Sequence, residues 1–72
     1  MVDPLEGILA NLGAEKQRIE MTEEMARRAG VNKEVALRIL AIENVQARHQ
    51  KRPVDMIAVS KAILFLSAPN HS

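Results

Sequence analysis

The chain has 72 residues with ten basic and nine acidic side chains, which give a formal net charge of +1 at pH 7. A domain this short hides only about 60% of its unfolded surface, so we expect self-association. The absence of cysteine excludes disulfides and thiolate metal sites and fits a cytoplasmic location. No apolar run approaches the roughly 18 residues that span a bilayer. We therefore expect one cytoplasmic domain over residues 1–72, without membrane contact.

The composition predicts an all-α fold. Alanine, leucine, glutamate, lysine, arginine and methionine dominate, and all of them are good helix formers. No stretch alternates apolar and polar residues in the way that a half-buried strand does. We expect a compact bundle of four or five short helices, with one helical hairpin, in a homodimer.

In the first half of the chain, Pro4 is well suited to the first turn of a helix because its missing N–H costs nothing there. A one-sided apolar stripe predicts a helix over residues 4–12, which Gly13 can end in a left-handed conformation. A charged second helix is expected over residues 14–29. Thr22 leaves open whether that segment is one helix or two.

In the second half, Asn32 is a natural N-cap for a long helix over residues 33–50. Pro53 interrupts it, because proline lacks the N–H and restricts the residue before it. A last helix is expected over residues 54–68, and residues 69–72 should fray.

The last predicted helix is apolar on nearly every side. Such a helix lies either at the centre of a fold or at an interface between subunits. In so short a chain, with few elements to cover it, we expect an interface between two copies. The expected dimer contacts are Met56, Val59, Ile63, Leu64 and Leu66.

Residues 22–40 have the pattern of a helix, a tight glycine turn and a second helix. A small residue, Ala26, stands where the second helix would cross the first, and Gly30 permits the positive φ of the turn. Val31 would fill the space beneath the turn, and Leu40 would anchor the second helix to the core.

This pattern resembles the helix-turn-helix of lactose-repressor-type regulators and phage CII-type activators. The resemblance implies a small DNA-binding transcriptional regulator whose second helix enters the major groove. The same residues also resemble the opening helical hairpin of histone-like HU proteins, in which the hairpin serves dimerisation.

The DNA-binding interpretation assigns a task to five side chains. Arg38 would read guanine and Asn32 would contact adenine or a phosphate. The remaining three would hold phosphates or the edge of the groove: Arg27, Arg28 and Lys33. Glu34 is expected to pair with Arg38 four residues later. The alternative is that these charges form an ordinary solvated face.

A second functional class stays open, which is a non-enzymatic interaction protein that binds a larger protein through apolar helices. Catalysis is not expected, because titratable groups are few and the glycines are isolated. His49 has no partner at the spacing that places two metal ligands on one helix face. We therefore expect no enzyme activity and no cofactor.

Overall fold

A computed structural model describes the backbone of residues 4–67 and the side chains of residues 12–67. This part of the chain consists of α1 (Pro4–Ala29), α2 (Lys33–His49) and α3 (Met56–Ser67), without strands. Each helix packs against both others. The all-α prediction is confirmed, but the described part has three helices where four or five were expected.

A boundary between two helices was predicted at Gly13. This prediction is wrong, because α1 continues through this residue. Good helix formers follow at residues 14–18, so the chain keeps its helical hydrogen bonds across the glycine. Thr22 does not begin a new helix either. It is buried inside α1, and its hydroxyl donates to the carbonyl of Arg18 at 2.8 Å.

The turn from α1 to α2 has the geometry that the glycine pattern predicted. Gly30 has φ +70°. The amide of Val31 donates to the carbonyl of Ala26 at 2.9 Å, and that of Gly30 to the carbonyl of Arg27 at 3.4 Å. These two bonds form a Schellman motif, which satisfies carbonyls that the end of a helix would leave without partners.

The connection from α2 to α3 is longer than predicted, because α2 ends at His49 and α3 begins only at Met56. Lys51 has φ +54°, so a lysine takes the left-handed position that ends α2. Asp55 caps α3, and its carboxylate accepts from the amides of Ile57 at 3.0 Å and Ala58 at 3.1 Å. The cap fixes the start of α3 two residues later than expected. The predicted tail, residues 69–72, lies outside the described residues.

Among residues 12–67, the core is small and combines alanines with three larger apolar side chains. Its buried members come from all three helices: Ala26, Ala36, Leu40, Val59 and Ile63. Alanines let the helix backbones approach closely but bury little apolar area, and each large apolar side chain contributes only about 1.5–3 kcal/mol when fully buried. The predicted placement of Ala26 and Leu40 is confirmed, since both are buried.

Candidate interaction surface

Three of the five residues predicted to bind DNA form ion pairs within the chain. Arg27 and Arg28 both donate to Glu24, through their Nε atoms at 3.0 and 2.9 Å. The Nζ atom of Lys33 lies 3.7 Å from Oε2 of Glu23. These pairs are exposed, so each of them adds little to the stability of the fold.

Acids and bases alternate along this edge of α1. Hydrogen bonds from Arg27 and then Arg28 lower the pKa of Glu24 to about 2, so this carboxylate stays charged at neutral pH. A groove of about 500 Å³ follows the edge, lined by Glu20, Glu23, Glu24, Arg27, Val31 and Lys33. A phosphate approaching here meets three carboxylates beside the cations, which weakens its attraction.

The other two residues predicted to bind DNA, Asn32 and Arg38, differ in their contacts. The side chain of Asn32 caps α2 by accepting from the amides of Glu34 at 2.8 Å and Val35 at 3.3 Å. Arg38 is exposed and forms no ion pair within residues 12–67. The predicted pair between Glu34 and Arg38 is therefore absent, and Arg38 is the one member of the predicted set that remains available to a ligand.

The outward side of α2 includes exposed apolar side chains beside Arg38 and His49. The helix faces the core with Ala36, Leu40, Glu43 and Ala47. At 100° per residue, the opposite side includes Ile42 and Val45, and 59% and 64% of their surfaces are exposed. This helix therefore has apolar side chains on two opposite sides. A surface helix of a lone domain normally has them on only one.

The exposed apolar surface of α2 continues onto α3. Ile42 and Ala58 line a groove of about 170 Å³ between the two helices. On its other side, Ile42 borders a depression of about 370 Å³ together with Ala41 and Val45. We call these four residues, Ala41, Ile42, Val45 and Ala58, the α2–α3 apolar face.

The predicted dimer contacts on α3 are divided by the fold. Val59 and Ile63 are each 1% exposed and belong to the core of the single chain. Met56 is half-buried and packs against that core. Only Leu64 and Leu66 remain exposed, at 58% and 50%. Two of the five predicted contacts therefore belong to the core of the single chain, where they pack with Ala26, Ala36 and Leu40.

A charged cluster that the sequence analysis did not identify fixes the connection between α2 and α3. Arg52 donates to both carboxylate oxygens of Glu43, at 2.5 and 3.1 Å. The backbone amide of Asp55 donates to Oε2 of Glu43 at 2.7 Å. The sequence offered one indication of this cluster. Glu43 lies on the core side of α2, where a carboxylate needs a partner.

These contacts keep Glu43 ionised. The hydrogen bonds from Arg52, and then from the amide of Asp55, lower the pKa of Glu43 to about 2. Only 8% of the surface of Glu43 is exposed. The cluster therefore holds the start of α3 against the middle of α2 through a charged hydrogen-bond network.

Other kinds of site have little support in this part of the chain. Among residues 12–67, no group of three or more His, Asp and Glu side chains is placed to hold a metal ion. No described helix combines the length and hydropathy that crossing a membrane requires. His49 is exposed at the end of α2.

Comparisons with known proteins give no match. No protein-family model matches the chain, and neither curated protein sequences nor solved structures give a match.

Proposed function

We propose that this protein is a non-enzymatic helical interaction module whose partner is a second copy of the chain, bound at the α2–α3 apolar face. The observation that supports this most is the exposure of Ile42 and Val45, which are 59% and 64% accessible on the side of α2 opposite the core. Apolar patches rimmed by polar residues are typical of interaction sites.

The small core supports the same proposal. Among the side chains that the structure describes, the largest that are fully buried are Ile63, Val59 and Thr22. Domains of this size often gain stability by association, because a single chain cannot bury enough surface alone. Two copies related by a two-fold axis would pack the same face against itself, so each copy would cover Ile42 and Val45 of the other.

The proposal can be tested by sedimentation equilibrium of the chain and two variants. The wild type should change from a mass of 8.0 kDa to twice that value as its concentration rises. Val45→Asp places a charge in the centre of the proposed contact and should weaken the dimer at least about a hundredfold, since a buried unpaired charge is costly.

Leu64→Asp is the matched control. Leu64 is similarly exposed but lies on the side of α3 that faces α1, where it lines a groove with Met25 and Ala29. Its substitution should leave the dimer within about twofold of wild type. If Leu64→Asp abolished the dimer and Val45→Asp did not, the contact would lie on the side of α3 that faces α1, and the proposal would be wrong.

DNA binding is a second candidate, favoured by one observation. The Gly30 turn sets the start of α2 at the surface, and Arg38 is exposed there without an intramolecular partner. Nonspecific duplex binding should be measurable at about 50 mM salt and should fall steeply by about 200 mM. Arg38→Gln should weaken it more than Lys61→Gln on α3. If no binding is detected at the lower salt concentration, this candidate is wrong.

A further inference from the structure

A second groove, of about 370 Å³, opens between α1 and the connection from α2 to α3. Three guanidinium groups line it, and they come from three parts of the chain: Arg18 in α1, Arg48 at the end of α2 and Arg52 in the connection. Asn44 adds an amide, and Glu15 is the one acid in the lining. The groove is separate from the α2–α3 apolar face.

Arg18, one of the residues that line this groove, has an unused donor. Its Nε atom is buried and has no hydrogen-bond partner. A buried N–H without an acceptor is unfavourable, because it has lost its hydrogen bonds to water and forms none within the protein. An oxyanion in the groove would supply the acceptor. Neither Glu15 nor any other described carboxylate takes this place, since Arg18 forms no ion pair within residues 12–67.

The other two arginines differ in their partners. Arg52 is fixed by Glu43, by Oε1 of Gln50 at 2.7 Å and by the carbonyl of Pro53 at 3.1 Å. Arg48 is exposed and has no ion pair among the described residues. The groove thus has one arginine held in place by Glu43, which neutralises its charge, and two cations, Arg18 and Arg48, whose charges are not neutralised by a direct partner.

The end of α2 does not compete for these guanidinium groups. Its last carbonyls, at residues 46–48, accept from the backbone amides of residues 50–52 at 2.9 to 3.2 Å. The C-terminal helix dipole still disfavours an anion by a small amount. Two arginines without direct acidic partners offset this effect, because charge-assisted bonds from guanidinium to an oxyanion are stronger than neutral ones.

We infer that this groove binds the phosphate group of a small molecule, with Arg18 and Arg48 as its main donors. The planar fork of arginine matches the spacing of phosphate oxygens, and a dianion balances two cations. The volume of the groove falls within the range of small-molecule sites. The phosphate can be free or can belong to a nucleoside monophosphate, and both present the same group to the arginines.

The test is an NMR titration of the full chain with sodium phosphate and separately with adenosine monophosphate, at constant ionic strength. The Nε–H signal of Arg18 should shift on saturable binding with a dissociation constant in the millimolar range, about 1 mM. If adenosine monophosphate binds more tightly than inorganic phosphate, the ligand is a phosphate ester. If the two affinities are equal, the groove recognises only the phosphate group.

Arg48→Gln and Arg18→Gln should each weaken binding at least about tenfold. Arg38→Gln removes the same charge from the outward side of α2 and should change affinity less than about twofold. Since Arg48 is exposed, its variant keeps the fold, which its amide spectrum would verify. Shifts that do not saturate, or equal losses in the Arg38 and Arg48 variants, would overturn the proposal.

Discussion

Gly30 and Lys51 occupy the same backbone position in two copies of one helix-ending motif. Their φ angles are +70° and +54°. After Gly30, the amide of Val31 bonds to the carbonyl of Ala26, and after Lys51 the amide of Arg52 bonds to the carbonyl of Ala47, both at 2.9 Å. Only Lys51 bears the Cβ atom that the left-handed conformation disfavours.

Lys51→Gly should therefore raise the free energy of unfolding by about 0.5–1 kcal/mol, because glycine adopts this conformation without strain. Urea unfolding followed by circular dichroism would measure the gain. Lys51→Ala removes the charge but keeps the Cβ, so it should stay within about 0.5 kcal/mol of wild type. Equal gains in both variants would attribute the effect to charge instead of backbone conformation.

Gly13 and Gly30 should respond in opposite directions to substitution by alanine. Gly13 lies inside the helix with open space around it, so Gly13→Ala should stabilise the protein by about 0.5–1 kcal/mol. Gly30 has positive φ, so Gly30→Ala should destabilise it by about 1–2 kcal/mol. The same urea experiment measures both. A loss of stability in Gly13→Ala would contradict an unbroken α1.

Glu43→Gln should lower the melting temperature by roughly 5–10 °C, because it leaves the guanidinium of Arg52 without its charged acceptor. Glu24→Gln removes an exposed pair and should lower it by less than about 2 °C. Thermal unfolding monitored at 222 nm, the helical circular dichroism band, would compare them. Similar shifts would show that the Glu43 cluster is no stronger than a surface pair.

Acid should weaken the fold in a defined range. The folded-state pKa of Glu43 is about 2, below its usual value of 4.5. Such a group stabilises the folded state fully above pH 4.5, and the stabilisation is lost as the pH falls towards 2. Glu24 follows the same direction, but it is exposed and screened by salt.

Unfolding free energies measured from pH 6 to pH 2 should therefore fall less steeply in Glu43→Gln than in wild type. At about 1 M salt the contribution of Glu24 should disappear and that of Glu43 should persist in part. An identical pH profile in wild type and Glu43→Gln would contradict the assignment of this stabilisation to Glu43.

Local patterns predicted the α1–α2 turn because its determinants are close together in the chain. Gly30 has few alternatives at a left-handed position, and Asn32 is a strong N-cap. The continuity of α1 through Gly13 was not predicted, because one glycine costs a helix only about 1 kcal/mol and neighbouring residues decide the outcome. The strong preference of Gly30 was visible in one residue, whereas the weak effect of Gly13 was outweighed by the helix propensity of its neighbours.

The candidate surface was harder to predict than the fold. Periodicity cannot tell which of two apolar sides of a helix faces the core. The sequence therefore predicted Val59 and Ile63 at an interface between copies, whereas both are buried in the core of the single chain. The Glu43–Arg52 contact spans nine residues and depends on the reversal of the chain at Lys51.

The most direct test of the proposed self-association is an isotope-filtered NOE experiment on a mixture of ¹³C-labelled and unlabelled protein, which detects only contacts between copies. The account predicts intermolecular NOEs from the methyl groups of Ile42 and Val45 at concentrations of about 1 mM. Intermolecular NOEs confined to Leu64 and Leu66, or a protein that stays monomeric at that concentration, would contradict it.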